Sequence, residues 1–520
     1  MSVDYDIAVA GSGFAGSLLA MIARRLGKSV ILLERAKHPR FAIGESTTPL
    51  SNLLLGELST RYHLPGLLPL CKWGTWRKAY PDVACGLKRG FTFYRHQPGR
   101  RTPADPERQD QLLVAASPRD AIGDTHWYRA EVDSFFVDEA QKAGVDYLDE
   151  VQMQSACERD DEVRLEATRA GQPLEIRARF VVDATGPRGF LHRALALPEL
   201  PLPHFPPTEA LYTHFANVRR LDELVPDSPG ELPPYPVDDA AVHHIFDGGW
   251  IWVLRFSNGI TSAGVAATSE VAERFRFSEG APAWRRLIET FPTIQSQFAA
   301  ALPQRPFVHA PRLSFRSGAI TGRRWALLPS AAGFVDPLLS TGFPLTLLGV
   351  ARLAEIFEHD WDSSRFATAL AAYARQTEDE LLATASLIGG LYATMANFPV
   401  FVSLSLLYFA AASFSETARR LGKPHLAGSF LLHDNPAFQT QQLLERARTV
   451  RTRAESQTLS GDICRFIEPF NVAGLGDPRR RNWYPAEAED MLRAAPKLGA
   501  DRDEVARILE RCGFHAGSPQ

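Results

Sequence analysis

The stretch Tyr5-Asp6-Ile7-Ala8-Val9-Ala10-Gly11-Ser12-Gly13-Phe14-Ala15-Gly16 decides the fold of this 520-residue chain. Its first half is typical of an apolar strand, its second half fits GxGxxG, and an apolar helix is expected over 17–26. A second strand, expected over 29–33, completes a βαβ unit, and Glu34 at its end is placed to accept a hydrogen bond from a ribose. The glycines allow a tight turn, and the helix N-terminus offers N–H groups to a pyrophosphate. The unit predicts an α/β dinucleotide-binding fold.

Further apolar strands are expected to return to the same sheet from far along the chain. One covers 179–183, and another covers 324–328. Two stretches, roughly 85–125 and 200–310, predict an inserted layer of mostly antiparallel strands. The Pro- and charge-rich stretches at 97–111 and 222–239 are typical of loops. We therefore expect residues 1–345 to form an FAD-type Rossmann domain that carries this inserted substrate layer.

The rest of the chain, 346–520, is expected to be a helical C-terminal region, with helices over 368–396, 415–423 and 438–460. The run 381–415 lacks Asp, Glu, Lys and Arg and is long enough to span a bilayer. Pro399 would divide this run, so we favour two buried helices over a membrane span. Its aromatic side chains would form either a wall of the substrate pocket or a helical core; they are Tyr392, Phe398, Phe401, Tyr408 and Phe409.

Composition limits the partners and the compartment. The net charge of −3 and the pI near 6.6 argue against a surface that binds polyanions, so nucleic acid is not expected. The five cysteines form no CxxC pair, which argues against a zinc site or a disulfide framework. An acidic N-terminus without a signal-peptide pattern leads to the expectation of a reduced, cytoplasmic setting.

Three further segments are typical of a flavin site. The first, Arg40-Phe41-Ala42-Ile43-Gly44-Glu45-Ser46-Thr47-Thr48-Pro49, places glycine and hydroxyl groups just after the second strand. The others are Asp183-Ala184-Thr185-Gly186 and Ala331-Ala332-Gly333-Phe334-Val335-Asp336-Pro337. A nicotinamide enzyme has no need of these returns to the sheet edge. The set resembles the FAD domain of the glutathione-reductase-type flavoproteins, which include hydroxylases and halogenases.

The tract Gly249-Trp250-Ile251-Trp252-Val253-Leu254-Arg255 narrows the class further. Its tryptophans would point to the same face of a strand, and such a pair alone is typical of strand packing. Together with the flavin segments and with Ala84-Cys85-Gly86-Leu87-Lys88-Arg89-Gly90-Phe91-Thr92-Phe93, the tract resembles the flavin-dependent halogenases that act on phenols. The likeness runs over about residues 5–440. It implies that Trp250 and Trp252 form a wall between flavin and substrate.

The resemblance also implies the residues that hold FAD. Arg129 matches an arginine that lies by the flavin in this superfamily, although a surface ion pair is the alternative. Ser330 stands where most members carry an aspartate that binds the ribityl chain, which predicts weaker FAD retention. The implied contacts are Gly11, Gly13, Phe14, Ala15, Gly16, Glu34, Arg35, Arg40, Gly44, Ser46, Thr47, Arg129, Asp183, Gly186, Ser330, Gly333, Asp336 and Gly342.

The family's chemistry assigns roles to a few side chains. Reduced FAD and O2 give a C4a-hydroperoxide, a chloride or bromide ion attacks it, and the hypohalous acid formed must be held beside one ring carbon. The motif match gives this task to Lys88, for which a solvated lysine at a strand end is the alternative. As an ammonium Lys88 could hydrogen-bond the acid, and as a neutral amine it could form a haloamine, a route that burial would favour by lowering its pKa. Glu45 is the candidate general base. Backbone N–H groups of Thr341 and Gly342 match the halide site.

The function predicted is therefore an FADH2-dependent halogenase of a small electron-rich aromatic substrate. Leu339 argues against the tryptophan-specific branch, which carries a glutamate at that position. Leu254 and Arg255 depart from the Ile-Pro of the family. An aromatic hydroxylase on the same fold and a non-catalytic flavin-binding protein are the alternatives. No second nucleotide motif is present, so a separate NAD(P)H flavin reductase is expected as partner, and a homodimer is compatible with the sequence.

Overall fold

The computed structural model describes residues 4–103, 105–225 and 231–514. Two large sheets and a helical region make up most of the chain. In chain order, the strands of the described residues are β1 (Tyr5–Ala10), β2 (Val30–Leu33), β3 (Cys85–Lys88), β4 (Gly90–Arg95), β5 (Gln111–Ala115), β6 (Asp124–Trp127), β7 (Asp146–Leu148), β8 (Val151–Glu158), β9 (Val163–Arg169), β10 (Gln172–Asp183), β11 (Thr208–Ala216), β12 (Ala241–Phe246), β13 (Gly249–Arg255), β14 (Thr261–Thr268), β15 (Leu302–Pro303), β16 (Val308–Ala310), β17 (Phe315–Arg316), β18 (Trp325–Leu327), β19 (Gly333–Phe334) and β20 (Trp483–Tyr484).

The helices pack on both sheets and fill the second half of the chain. They are α1 (Phe14–Arg25), α2 (Pro49–Arg61), α3 (Trp73–Ala79), α4 (Arg129–Lys142), α5 (Phe190–Ala194), α6 (Ser269–Phe275), α7 (Ala281–Glu289), α8 (Pro292–Gln297), α9 (Pro329–Ala332), α10 (Gly342–His359), α11 (Phe366–Thr394), α12 (Phe398–Arg420), α13 (Pro424–Ala427), α14 (Gln441–Thr449), α15 (Arg453–Ile467), α16 (Ala488–Arg493) and α17 (Arg502–Cys512).

The first sheet holds the predicted Rossmann core. Its parallel part has the order β7-β2-β1-β10-β18, and the first half of β10 continues into an antiparallel meander with β9 and β8. Ala10 lies beside Leu33 and Asp183, and Asp183 lies beside Leu327. The strands therefore end together, so the loops that follow them meet along one edge. This is the edge at which α/β sheets bind dinucleotides.

The second sheet has the order β15-β11-β14-β13-β12-β4-β5-β20, with β16 on β11. It is antiparallel except where β12 pairs with β4 and β20 pairs with β5. Trp250 and Trp252 point from β13 into the core shared with the first sheet, while Ile251 and Val253 point into a separate core on the other face. The alternation is that of a strand buried on both faces.

The α/β fold and the elements of the βαβ unit are confirmed, with three differences at boundaries. Helix α1 begins at Phe14, since Gly13 is its extended N-cap. The turn expected at Ala331-Ala332-Gly333 is partly helical, because the short helix α9 includes Ala331 and Ala332. The helix expected over 415–423 is wrong as a separate element, because those residues up to Arg420 are the last turns of α12.

The charge-free run 381–415 forms the end of α11 and most of α12, as expected. Pro399 lies in the first turn of α12, where its missing N–H would have no intrahelical partner. Among the described residues, α12 is the one helix long and apolar enough to cross a membrane, with a mean hydropathy of 1.7 over its most apolar 18 residues. However, 83% of that 18-residue stretch is buried inside the protein. It packs against α2 and α15, as a core helix does.

Arg255 replaces the proline of the family at the end of β13 and turns away from the tryptophans. Its Nε donates to Oδ1 of Asp238 at 2.9 Å, and its Nη1 donates to the carbonyl of Val218 at 2.9 Å. The Asp238 side chain is fully buried, and its Oδ2 accepts the N–H of Asp222 at 3.0 Å. The charge of Arg255 therefore holds a loop on the sheet and is not part of the tryptophan wall.

We expect Arg255→Met to lower the free energy of unfolding by about 3 kcal/mol, because the buried Asp238 carboxylate would lose its cation. Urea denaturation followed by circular dichroism measures this. Arg219→Ala is the matched control, since Arg219 and Glu223 pair at the surface with about half of each side chain exposed; its effect should stay below about 1 kcal/mol. Equal effects of the two variants would contradict a structural role for the Arg255 pair.

Candidate active site

The glycine turn at the sheet edge is built for close approach of backbone to a ligand. Gly11 has φ +95°, and a Cβ on it would lie 2.7 Å from the carbonyl oxygen of Ala184. A Cβ on Gly16 would lie 2.0 Å from the carbonyl oxygen of Gly11. Glu34 accepts the N–H and the hydroxyl of Ser12 at 3.2 and 3.0 Å, which fixes the turn to the second strand. A side chain at either glycine would open this turn.

Arg129 is buried and is not the surface ion pair that was its alternative. It donates from Nε to Asp133 at 2.8 Å and from Nη1 to the carbonyls of Ile43 and Gly44 at 3.1 and 2.9 Å. Asp133 also accepts the N–H of Phe14 at 3.2 Å, at the start of α1. Arg129 and Asp133 therefore join the glycine turn to the segment after β2. No signal in the sequence pointed to Asp133. It follows Arg129 by one helical turn, and this spacing is also that of an ordinary helical ion pair.

Unpaired polar atoms and open glycines show that this edge fits FAD. Nε of Arg40 and Nδ1 of His38 are buried without a hydrogen-bond partner among the described residues, close to Glu34. A Cβ on Gly186 or Gly342 would meet nothing within 4 Å. Free donors and open backbone at the carboxyl ends of parallel strands are what a dinucleotide requires.

The other predicted cofactor residues fall in different surroundings. Asp183 is buried, and its carboxylate accepts two bonds from Thr185 and the N–H of Leu191, so it shapes its own turn. Burial raises its pKa. Arg35 is exposed, and Ser330 is half-buried in the first turn of α9. The remaining residues lie along the edge: Gly13, Phe14 and Ala15 at α1, Gly44, Ser46 and Thr47 before α2, and Gly333 in β19.

The tryptophan pair is buried on one face of β13, and its role as a wall between flavin and substrate stays a prediction. The rings of Trp250 and Trp252 lie 5.7 Å apart, and His243 stacks on Trp250 at 5.1 Å. Trp250 Nε1 donates to Asp336 at 3.1 Å, and the hydroxyl of Tyr392 donates to the other oxygen of Asp336 at 2.8 Å. Burial raises the pKa of Asp336 to about 7. Asp336 therefore positions the tryptophan wall, while its contact with FAD stays a prediction.

The predicted halide loop is strained and ends at a helix N-terminus. Leu339 and Ser340 have φ values of +64° and +55°, which is rare for residues with side chains. Thr341 is buried and precedes Gly342, the first residue of the 18-residue helix α10. Such strain is retained at sites where the backbone must be aimed. The N–H groups at this helix start suit an anion.

Lys88 is buried completely, beside the halide loop and at the end of β3. Its Nζ donates to the carbonyl of Thr47 at 2.6 Å and to the hydroxyls of Ser46 and Ser340 at 2.9 and 3.5 Å. The ammonium also lies 3.8 Å from the ring centroid of Phe91. A solvated lysine at a strand end is therefore excluded. The structure brings Lys88 to Ser46, Thr47 and the loop that carries Thr341.

Glu45 is also buried, but its side chain points away from Lys88, to the other face of the extended segment that holds Ser46 and Thr47. Successive residues of an extended segment alternate in direction, and it is Ser46 that contacts the lysine. The Glu45 carboxylate is paired with Nε2 of His214 at 2.9 Å, and its second oxygen has no partner among the described residues. The two predicted catalytic side chains are thus not brought into contact, and the free oxygen of Glu45 remains available as an acceptor.

An apolar cleft begins at Phe91, whose ring lies against the ammonium of Lys88. Pro344 of α10 and Tyr408 and Phe409 of α12 form its walls, and Met491 of α16 lies on the far side. Part of the aromatic run of α12 therefore lines the pocket, whereas Phe398 and Phe401 stack on each other in the core. Apolar clefts with a few polar groups are typical of small-molecule sites.

The fold and this edge define an FAD-dependent enzyme, and comparison with known proteins names its family. The "Tryptophan halogenase" family model matches residues 124–397. The tetracycline 7-halogenase of Kitasatospora aureofaciens is 30% identical over 97% of this chain and 95% of its own length. The chain belongs to the flavin-dependent halogenases of this family.

Another halogenase and a solved halogenase structure also match this chain. Monodechloroaminopyrrolnitrin halogenase PrnC of Pseudomonas fluorescens is 30% identical over 67% of this chain and 61% of its own length. The crystal structure of halogenase PltM in complex with phloroglucinol and FAD superimposes with a TM-score of 0.82 at 25% identity, over 92% of this chain and 99% of PltM. The resemblance to the phenolic branch is confirmed, as is the expectation of an FAD enzyme.

Ser330 should limit the retention of FAD. We expect Ser330→Asp to lower the dissociation constant of FAD about 5- to 10-fold, because a charged acceptor makes a stronger hydrogen bond than a hydroxyl. Titration of the apoprotein with FAD, followed by flavin fluorescence, measures this constant. Ser330→Asn, similar in size but neutral, is the control. An unchanged constant in the aspartate variant would remove Ser330 from the FAD site.

Proposed function

We propose that this chain is a two-component, FADH2-dependent halogenase that installs chlorine or bromine on a free, electron-rich aromatic ring of the phenol class. The position of Lys88 carries this proposal. Its ammonium contacts Ser340, the neighbour of the proposed halide site, and lies over Phe91, which opens onto the aromatic cleft. A lysine that contacts both the halide loop and an aromatic ring of the cleft is suited to pass an electrophilic halogen toward the substrate.

The sheet edge would hold the flavin with the turn at Gly11–Gly16, Glu34, Arg40 and the segment anchored by Arg129. Bound FAD, once reduced, supplies together with O2 the oxidising equivalent that turns halide into hypohalous acid. The N–H groups of Thr341 and Gly342 would hold chloride or bromide, because they start a long helix. Trp250 and Trp252 keep the substrate on its own side, as a wall fixed by Asp336.

Lys88 would hold hypohalous acid by donating a hydrogen bond to its oxygen in place of the long 3.5 Å bond to Ser340, because its three N–H groups already have Ser46, Thr47 and Ser340 as acceptors. Burial favours this task, because the ammonium has few competing water molecules and points from a fixed strand end. The substrate ring would pack between Phe91, Tyr408 and Phe409, which present flat apolar surfaces. The names of the relatives, tetracycline and phloroglucinol halogenases, are compatible with both fused-ring and single-ring substrates.

Glu45 is proposed as the general base. The resemblance supports this role, and one carboxylate oxygen is free to accept a proton while His214 holds the other. Glu45 points away from Lys88 and is not among the residues that line the cleft at Phe91, so the assignment rests on the resemblance. A carboxylate fixed by a buried imidazole keeps one orientation, which a base requires. A separate NAD(P)H flavin reductase is proposed to supply FADH2, and the homodimer stays a prediction.

Lys88→Ala should reduce halogenation at least about 10³-fold while hypohalous acid still forms, because the chain would lose the group that holds it. The assay contains FAD, a reductase, NADH and bromide, with a panel of free phenols, and product is detected by the halogen isotope pattern in mass spectrometry. Monochlorodimedone measures released hypohalous acid. Lys78→Ala is the matched control, since Lys78 lies on α3 outside the site. Product without halide addition, as a hydroxylated phenol, would favour the hydroxylase alternative.

Glu45→Gln should lower kcat about 10²-fold with little change in KM for the aromatic substrate, since only proton removal is lost. The hydrogen bond from His214 can be kept by the amide oxygen, so the fold is expected to survive. A second variant, Glu45→Asp, should recover part of the rate. A Gln variant with full kcat would exclude Glu45 as the base.

A further inference from the structure

Lys88 has a carboxylate opposite it in the small sheet of β3 and β6. In this antiparallel pair the partner of Lys88 is Asp124. Directly opposed residues share a face, with Cβ atoms about 5 Å apart. Both side chains are buried, 0% and 6% exposed. Asp124 is therefore a buried negative charge next to the proposed catalytic ammonium, a place that Glu45 does not occupy.

The contacts of Asp124 leave its charge largely uncompensated by hydrogen bonds. Oδ1 accepts from Nδ2 of Asn52 at 2.7 Å, while Oδ2 is buried without a hydrogen-bond partner among the described residues. A carboxylate that only served the fold would be expected to use both oxygens, because a buried unpaired acceptor costs free energy. Asp124 instead keeps a free oxygen beside a lysine.

A second cavity reaches Asp124. It lies between α12 and α17 and shares Pro49, Glu416 and Met491 with the substrate cleft. The charged and titratable groups that face Asp124 come from several elements: Lys88 from β3, Tyr408, Glu416 and Arg420 from α12, Lys72 from the start of α3 and Cys512 from the end of α17.

We propose that Asp124 is a positioning residue for halogenation: its carboxylate keeps Lys88 protonated, so that the ammonium can hold hypohalous acid at the inner end of the cleft. This inference rests on the proposed role of Lys88. The Asp124 carboxylate acts on the Lys88 ammonium by electrostatic attraction across the strand pair and not by a hydrogen bond, because the ammonium donates to Ser46, Thr47 and Ser340.

The electrostatics of the surroundings agree with this arrangement. Burial lowers the pKa of Lys88, and the charge of Asp124 opposes that shift. Burial likewise raises the pKa of Asp124, which the charge of Lys88 opposes. His126 and His243 do not compete for the proton, because burial, followed by the charge of Lys88, lowers the pKa of each to about 3. Removing the Asp124 charge would therefore lower the pKa of Lys88 further.

Asp124→Asn is the test, since the amide keeps the acceptor for Asn52 and loses the charge. Single-turnover halogenation with photoreduced FAD is measured against pH, and Lys88 is titrated by NMR of [ε-13C]lysine protein, with Lys88→Arg to assign its signal. The basic limb of the pH–rate profile and the Lys88 titration should both move to lower pH by about one unit or more, which lowers the rate at pH 7.5 about tenfold. The rate should recover as the pH falls.

Asp120→Asn is the matched control, because Asp120 is half exposed and pairs with Arg89 at the other end of the same loop; it should follow the wild type. The affinity for FAD should be unchanged in both variants. Should Asp124→Asn fail to fold, Asp124→Ser removes the same charge in a smaller side chain. An unmoved Lys88 titration, or a rate at pH 7.5 that is kept or raised, would overturn the proposal. If Lys88→Ala still halogenates while Asp124→Asn shifts the lysine signal, the coupling stands and the proposed function falls.

Discussion

The burial of one ammonium group, that of Lys88, is the constraint to which the rest of the site is fitted. A charge taken out of water must be met by fixed dipoles or an opposite charge. Here the carbonyl of Thr47, the hydroxyls of Ser46 and Ser340, and the ring of Phe91 surround it. These groups come from the segment after β2, the loop before α10 and the start of β4. The contacts of Lys88 therefore hold these three segments together.

The cofactor edge and the substrate cleft are joined through that same point. The segment that ends in Thr47 pairs with β6 through two backbone hydrogen bonds. The N–H of Trp127 donates to the carbonyl of Glu45, and the N–H of Thr47 donates to the carbonyl of Thr125. It thus extends the small sheet of β3 and β6 toward the glycine turn, where Arg129 holds its other end. The left-handed residues before Thr341 complete the junction. Flavin, halide and substrate would meet around a rigid, largely buried framework and not on mobile loops.

The carboxylates of the site divide into separate environments. Glu45 lies with His214, Asp336 lies between Trp250 and Tyr392, and Asp124 lies across the strand pair from the lysine. Each is buried, and each has a different hydrogen-bond partner or neighbouring charge. The helical region contributes to this separation, because Tyr392 and the far wall of the cleft come from α11, α12 and α16. The C-terminal region is therefore part of the site.

The sequence by itself determined the βαβ unit and the returns to the sheet edge, since these depend on local patterns. It also singled out Lys88 as the candidate catalytic lysine, by a motif match. It also placed the tryptophans on one face of a strand, because side-chain alternation is a local property. Only the tertiary structure decided the partners of each charge. Asp133 and Asp124 carry no motif, and their roles come from segments far apart in sequence that pack together. Arg255 is a further example. The sequence placed it next to the tryptophans, but its side chain points away from them toward Asp238, a loop carboxylate that only the tertiary structure brings near.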